Sequence, residues 1–119
     1  PRGIFIVEMF NPKPAYFVRD PGKRYFQERI RSKTGLAFTC EENNVYDRAT
    51  QINHVKWYLR FTDRKRETVK DLHMRIYYPQ EFDALLGYNG FKILKKFGNF
   101  DEAPYTSESP RQIWVTRVC

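Results

Sequence analysis

The sequence predicts an α+β chain: a mostly antiparallel, twisted sheet of about six or seven strands with one main helix. Three observations predict it. Residues 51–63 ("QINHVKWYLRFTD") and 69–78 ("VKDLHMRIYY") alternate apolar and polar side chains with the period of a half-buried strand. Turn-forming residues punctuate the first two thirds of the chain at short intervals. Residues 79–91 ("PQEFDALLGYNGF") alone switch to helical spacing.

The elements follow in order. "GIFIVEM" (3–9) is an apolar run broken only by Glu8, as in a strand covered on both faces of a parallel sheet. "NPKP" (11–14) ends it, because proline lacks the amide donor a central strand needs. A connecting piece follows, with "DPGK" (20–23) as a turn. "RYFQERIRSK", the turn Thr34-Gly35 and "LAFTCEE" read as a hairpin, and Asn43-Asn44 as a further turn or bulge. In the next strand Val55, Trp57, Leu59 and Phe61 share one face and His54, Lys56, Tyr58 and Arg60 the other. The face with Trp57 reads as core. "DRKRET" is a charged hairpin tip. Beyond it Leu72, Met74, Ile76 and Tyr78 oppose Asp71, His73, Arg75 and Tyr77.

Pro79 suits a first helical position, with Glu81 and Asp83 in the opening turn and Phe82, Leu85 and Leu86 along one face. Gly87 or Gly90 stops the helix. "FKILKKFG", the polar loop "DEAPYTSESP" and "RQIWVTRV" complete the chain as strand, loop and strand. The expected division is core-sheet strands at 1–12 and 91–119, an antiparallel insertion at 23–78 and a helix at 79–88, within one domain.

The 119 residues carry a formal net charge of +7, and 41% are hydrophobic, too apolar for a disordered chain. A basic balance permits polyanionic partners without selecting one. Two cysteines, Cys40 and Cys119, make no disulfide framework. With no signal peptide and no long apolar run, the expected setting is the cytoplasm, without membrane insertion. The six glycines are scattered, with no G-x-G-x-x-G or G-K-[ST] phosphate loop. His54 and His73 stand alone in separate segments, so no metal site is expected.

From Met74 onward the chain resembles the C-terminal end of class I S-adenosylmethionine-dependent methyltransferases. The matching residues are Arg75, Tyr78, Pro79, Glu81, Phe82, Leu85, Leu86, Gly90, Phe91, Gly98, Asn99, Phe100, Asp101, Ser107, Ser109 and the strand 112–118. "PRGIFIVEMFNP" looks like that fold's fifth strand. "YDRATQINHVKWYLRF" looks like an antiparallel insertion that contributes to substrate binding. The resemblance implies the C-terminal portion of a Rossmann-like enzyme whose glycine-rich cofactor turn lies N-terminal to the matched region. It implies S-adenosylmethionine in the complete enzyme, none bound by this chain alone, and no catalysis by the isolated chain. The implied partner is the missing cofactor-binding half, and a homodimer through an open sheet edge is a further use of the opening strand.

The candidate substrate contacts are Arg75, Tyr77 and His73 on one strand face, His54, Tyr58 and Arg60 on its neighbour, Tyr46 after the asparagine pair, and Tyr105 in the last loop. Arg75 can hold an anionic group by a charge-assisted fork, and a histidine can accept a proton from a methyl acceptor. The bland alternative for each is a solvated strand face or a plain loop. No catalytic base is assignable. The competing function is a stand-alone binding or dimerisation module. RNA is the alternative ligand, because aromatics beside Lys and Arg can stack bases; the scatter of the basic residues and the lack of an RNP signature argue against it.

Overall fold

The computed structural model describes residues 3–35 and 37–119. Pro1 and Arg2 of the opening segment, and Leu36 at the head of the second hairpin strand, lie outside the described residues. The described elements are β1 (Ile4–Phe10), α1 (Pro14–Phe17), β2 (Tyr25–Arg31), β3 (Ala37–Asp47), β4 (Ile52–Phe61), β5 (Thr68–Arg75), α2 (Pro79–Tyr88), β6 (Phe91–Phe97) and β7 (Arg111–Val118). They form an α+β chain with antiparallel pairing throughout.

The strands make two sheets where the sequence suggested one: β1-β7-β6 and β2-β3-β4-β5. Alternation fixes which face a residue takes, but it does not say which distant strand a segment pairs with. A second, short helix, α1, also forms where only a connection was expected; Pro14 opens it. The chain divides into two compact units, Pro1–Pro12 with Tyr77–Cys119, and Lys13–Ile76.

In the first unit β7 is central and nearly every side chain of its middle is buried. Trp114, Gln112 and Thr116 are fully enclosed. The Trp114 ring packs on Phe82 of α2 at 4.6 Å, and its indole N–H donates to Asp83 at 2.6 Å. Asp83 also accepts from Lys96 of β6 at 3.0 Å, so one carboxylate pins the helix to two strands. Pro79 stands in the first turn of α2, the Glu81 carboxylate accepts from the Tyr78 amide, and Gly90 follows the helix at φ +77°. Of the two glycines, Gly90 is thus the stop.

The opening strand does not follow the buried-strand expectation. Among the described residues β1 pairs with β7 alone and is an edge, with Ile6 61% and Phe10 64% exposed. Its apolar run has neighbours on one side alone among the described residues.

The second unit is a four-stranded meander with α1 on one face. Asn43 and Asn44 continue β3 in register opposite Lys56 and Val55; they do not turn. The reversal comes after Asp47, whose carboxylate accepts from the Ala49 amide at 2.9 Å, and Gln51 takes φ +56°. Asn44 stays in the strand because its side chain has buried partners there. The Thr34-Gly35 and "DPGK" turns form as expected, with Gly35 at φ +84° and Lys23 N donating to Asp20 O.

Candidate functional site

Two polar systems occupy opposite faces of the four-stranded sheet. Period-two alternation along β3 aims Cys40, Glu42 and Asn44 at the face that carries α1, and Thr39, Glu41 and Asn43 at the other.

On the α1 face, Glu42 is 5% exposed and both its oxygens are engaged. Oε1 accepts from the Tyr16 hydroxyl at 2.5 Å and from Arg19 Nη2 at 2.8 Å; Oε2 accepts from the Trp57 indole N–H at 2.9 Å. Arg19 also donates to Asn44 Oδ1, and Asn44 Nδ2 donates to the Tyr16 carbonyl and to Asn53 Oδ1. The Arg19 guanidinium lies 4.1 Å and 4.3 Å from the Tyr16 and Tyr25 ring centroids. Burial pushes the Tyr16 hydroxyl well above the usual tyrosine range, and the Glu42 carboxylate beside it adds to the rise. Tyr16 therefore stays a proton donor. Asn53 is fully buried, and its Nδ2 has no hydrogen-bond partner among the described residues. Burial, followed by the charge of Glu42, raises the Cys40 thiol, which keeps it protonated and unreactive.

On the open face, His54 and His73 sit directly opposite each other on β4 and β5. Their Nδ1 atoms are 2.8 Å apart, so one ring donates while the other must present a bare nitrogen. Acidic neighbours flank them. The Ala49 amide and then the Thr50 hydroxyl hold Asp47 below the usual carboxylate range, and Lys56 does the same for Asp71. The chemistry available here is proton acceptance and hydrogen bonding to a polar ligand. Among the described residues no group of three or more His, Cys, Asp or Glu side chains is placed to hold a metal.

The predicted contacts fall into several groups. His54 and His73 are brought together. Tyr58 and Arg60 join a cluster farther along β4: Arg24 stacks on the Tyr58 ring at 3.5 Å and its Nη1 donates to both Glu67 oxygens at 2.9 Å, with Arg60 at 3.6 Å from the same carboxylate. Arg75 ends β5 on the His73 side and donates to the Ile76 carbonyl. Tyr46 is on the α1 face, stacked on Phe17 at 4.4 Å. Tyr77 lies past the end of β5, in the other unit, edge-on to Phe82. Tyr105 is in that unit too; its hydroxyl donates to Asn11 Oδ1 at 2.7 Å, and burial raises it above the usual tyrosine range.

Trp57 is half-exposed and not core, because its indole N–H is held at Glu42. Tyr16, Arg19, Glu42, Asn44 and Asn53 were missed by sequence reasoning. The usable signal was the alternation Cys40, Glu42, Asn44, which continues through the supposed turn.

No protein-family model matches the sequence, and a comparison with curated proteins finds no match. Solved structures do match in fold. The chain superposes on the CcbJ methyltransferase from Streptomyces caelestis with a TM-score of 0.73 at 18% identity, over 98% of this chain and 47% of that one. An S-adenosylmethionine-dependent methyltransferase from Clostridium acetobutylicum gives 0.67 at 12% identity, over 98% of this chain and 44% of that one. The chain thus shares the fold of parts of these two methyltransferases, and it spans under half the length of each.

The six glycines have other places in the fold. Gly22, Gly35 and Gly90 serve turns and Gly87 lies inside α2. Gly98 packs so closely on Ser109 that a Cβ would overlap its side chain, and Gly3 precedes β1 in open space. None lines a strand-to-helix phosphate-type turn.

Proposed function

We propose that this chain is the C-terminal, substrate-recognition part of an S-adenosylmethionine-dependent methyltransferase and is inactive without a cofactor-binding half. The observation that carries the reading is the lopsided fold match: 98% of this chain accounts for 47% and 44% of the two neighbours. The exposed outer edge of β1, with Ile4, Phe5, Ile6 and Phe10, supplies an apolar strand edge on which the remainder of such a sheet can add. A second copy pairing through the same edge is the competing occupant.

In the complete enzyme the cofactor would supply an electrophilic methyl group. The role assigned to this chain is to bind and orient the acceptor. His54 and His73 offer a hydrogen-bonding pair for a polar acceptor, and Arg75, at the end of the same face, a cation for an anionic one. The test is methyl transfer from labelled S-adenosylmethionine by the product of the complete reading frame that contains this chain. Arg75→Ala there should raise KM for the acceptor about tenfold, the loss of one charge-assisted fork, with unchanged cofactor affinity. Absence of cofactor binding by that product sinks the reading as a whole. An unaltered acceptor KM sinks the role of Arg75.

A further inference from the structure

A groove of about 390 Å³ opens on the four-stranded sheet, lined by Arg29, Arg31, Ala37, Phe38, Thr39, Arg60, Phe61 and Thr62. The register explains the hollow. Arg29, Thr39 and Arg60 form one row across β2, β3 and β4, and Arg31 and Ala37 are paired in the next. Short side chains on the central strand are thus flanked by long cationic ones. With strands spaced about 4.8 Å apart, the roots of Arg29 and Arg60 stand roughly 10 Å apart, near enough for both heads to reach one ligand over Thr39.

The charges there are not balanced. The lining holds three arginines and no acid. Among the described residues, the side chains of Arg29 and Arg31 have no ion pair or hydrogen bond; their backbones pair in the β2–β3 ladder. Arg60 has only a 3.6 Å approach to Glu67, whose two oxygens Arg24 already engages at 2.9 Å each. The Thr39 hydroxyl is likewise unpartnered among the described residues. Three arginines lining one hollow carry more positive charge and more donors than a single carboxylate can satisfy. A phosphate monoester, with up to two charges and three acceptor oxygens, can take two forks and the threonine hydroxyl together. The volume falls in the range of small-molecule sites, roughly 300–1,000 Å³.

From this we infer that the groove is an anion site for a small phosphate monoester, held by Arg29, Arg31 and Arg60 with Thr39. The inference needs only the second unit and is independent of the methyltransferase reading.

The probe is phenyl phosphate, titrated into the ¹⁵N-labelled chain, with benzoate and a single-stranded oligonucleotide as comparators. Saturable amide shifts should centre on residues 29–31, 37–39 and 60–62. Arg29→Ala and Arg31→Ala should each weaken binding about fivefold or more, the loss of one charged fork. Arg29→Lys keeps the charge and guards against misfolding; it should still bind more weakly than the parent. Lys92→Ala, on exposed β6, should change nothing. Equal weakening by Lys92→Ala, benzoate binding as tightly as phenyl phosphate, or an undiminished affinity in both arginine-to-alanine variants would overturn the proposal. So would tighter, steeply salt-dependent binding of the oligonucleotide, which would make the surface a polyanion site.

Discussion

The two units bury polar side chains for different ends. In the first, those side chains bond to backbone carbonyls far away in sequence. Asn11 Nδ2 donates to the carbonyls of Ser107 and Ser109, Gln112 Nε2 to those of Phe10 and Tyr77, and the Thr116 hydroxyl to that of Phe5. In the second, they bond to one another: Tyr16, Arg19 and Trp57 all converge on Glu42. Bonds to backbone lock chain segments in place whatever ligand is present. A side-chain network around an ion pair fixes the position of a charge. The first unit has such an ion pair as well, Lys96 with Asp83, but its fully enclosed polar side chains on β7 tie down backbone, whereas in the second unit the buried acid itself is the hub.

Breaking the first unit should have the largest effect. Trp114→Ala removes a fully buried ring and leaves Asp83 with Lys96 alone, and should cost ~3–5 kcal/mol by urea unfolding. In the second unit, Glu42→Ala strands a largely buried Arg19 and should cost up to ~3–5 kcal/mol. A double-mutant cycle with Arg19→Ala should recover part of that loss; simple additivity would mean the network is not coupled. Gly98→Ala drives a methyl into Ser109 and should cost ~1–3 kcal/mol, with Ser109→Gly relieving much of it.

The smallest effect is a pH dependence. The Tyr16 hydroxyl is raised by burial first and by Glu42 second. Below the ordinary tyrosine value of about 10, folded and unfolded chains are both protonated and the contribution is complete. Above it the unfolded chain ionises while the folded one resists, so stability falls as pH rises. Tyr16→Phe should flatten that alkaline decline in urea midpoints; an equally steep decline would show that Tyr16 does not cause it.

Much of this contrast was legible in the sequence. Alternation placed Val55 inward and His54, Lys56 and Arg60 outward, and the helical spacing with Pro79 and Gly90 located α2. The buried acid was not legible, because Glu42 and Asn44 are residue types that read as surface or turn unless a partner neutralises them. That partner, Arg19, lies 23 residues away from Glu42 in the connecting piece. The edge position of β1 was legible only through the resemblance: a fifth strand without its parallel neighbours has to pair with the closing strands and leave an edge, and β1 does pair with β7, whereas the apolar run taken alone signals burial.

The central claim is that this chain supplies recognition and not the cofactor site. Titration of S-adenosylmethionine into the isolated chain, and into the product of the complete reading frame, tests it most directly. The account predicts heat of binding from the complete product and none from the isolated chain. Saturable binding to the isolated chain, abolished by unfolding, would contradict it.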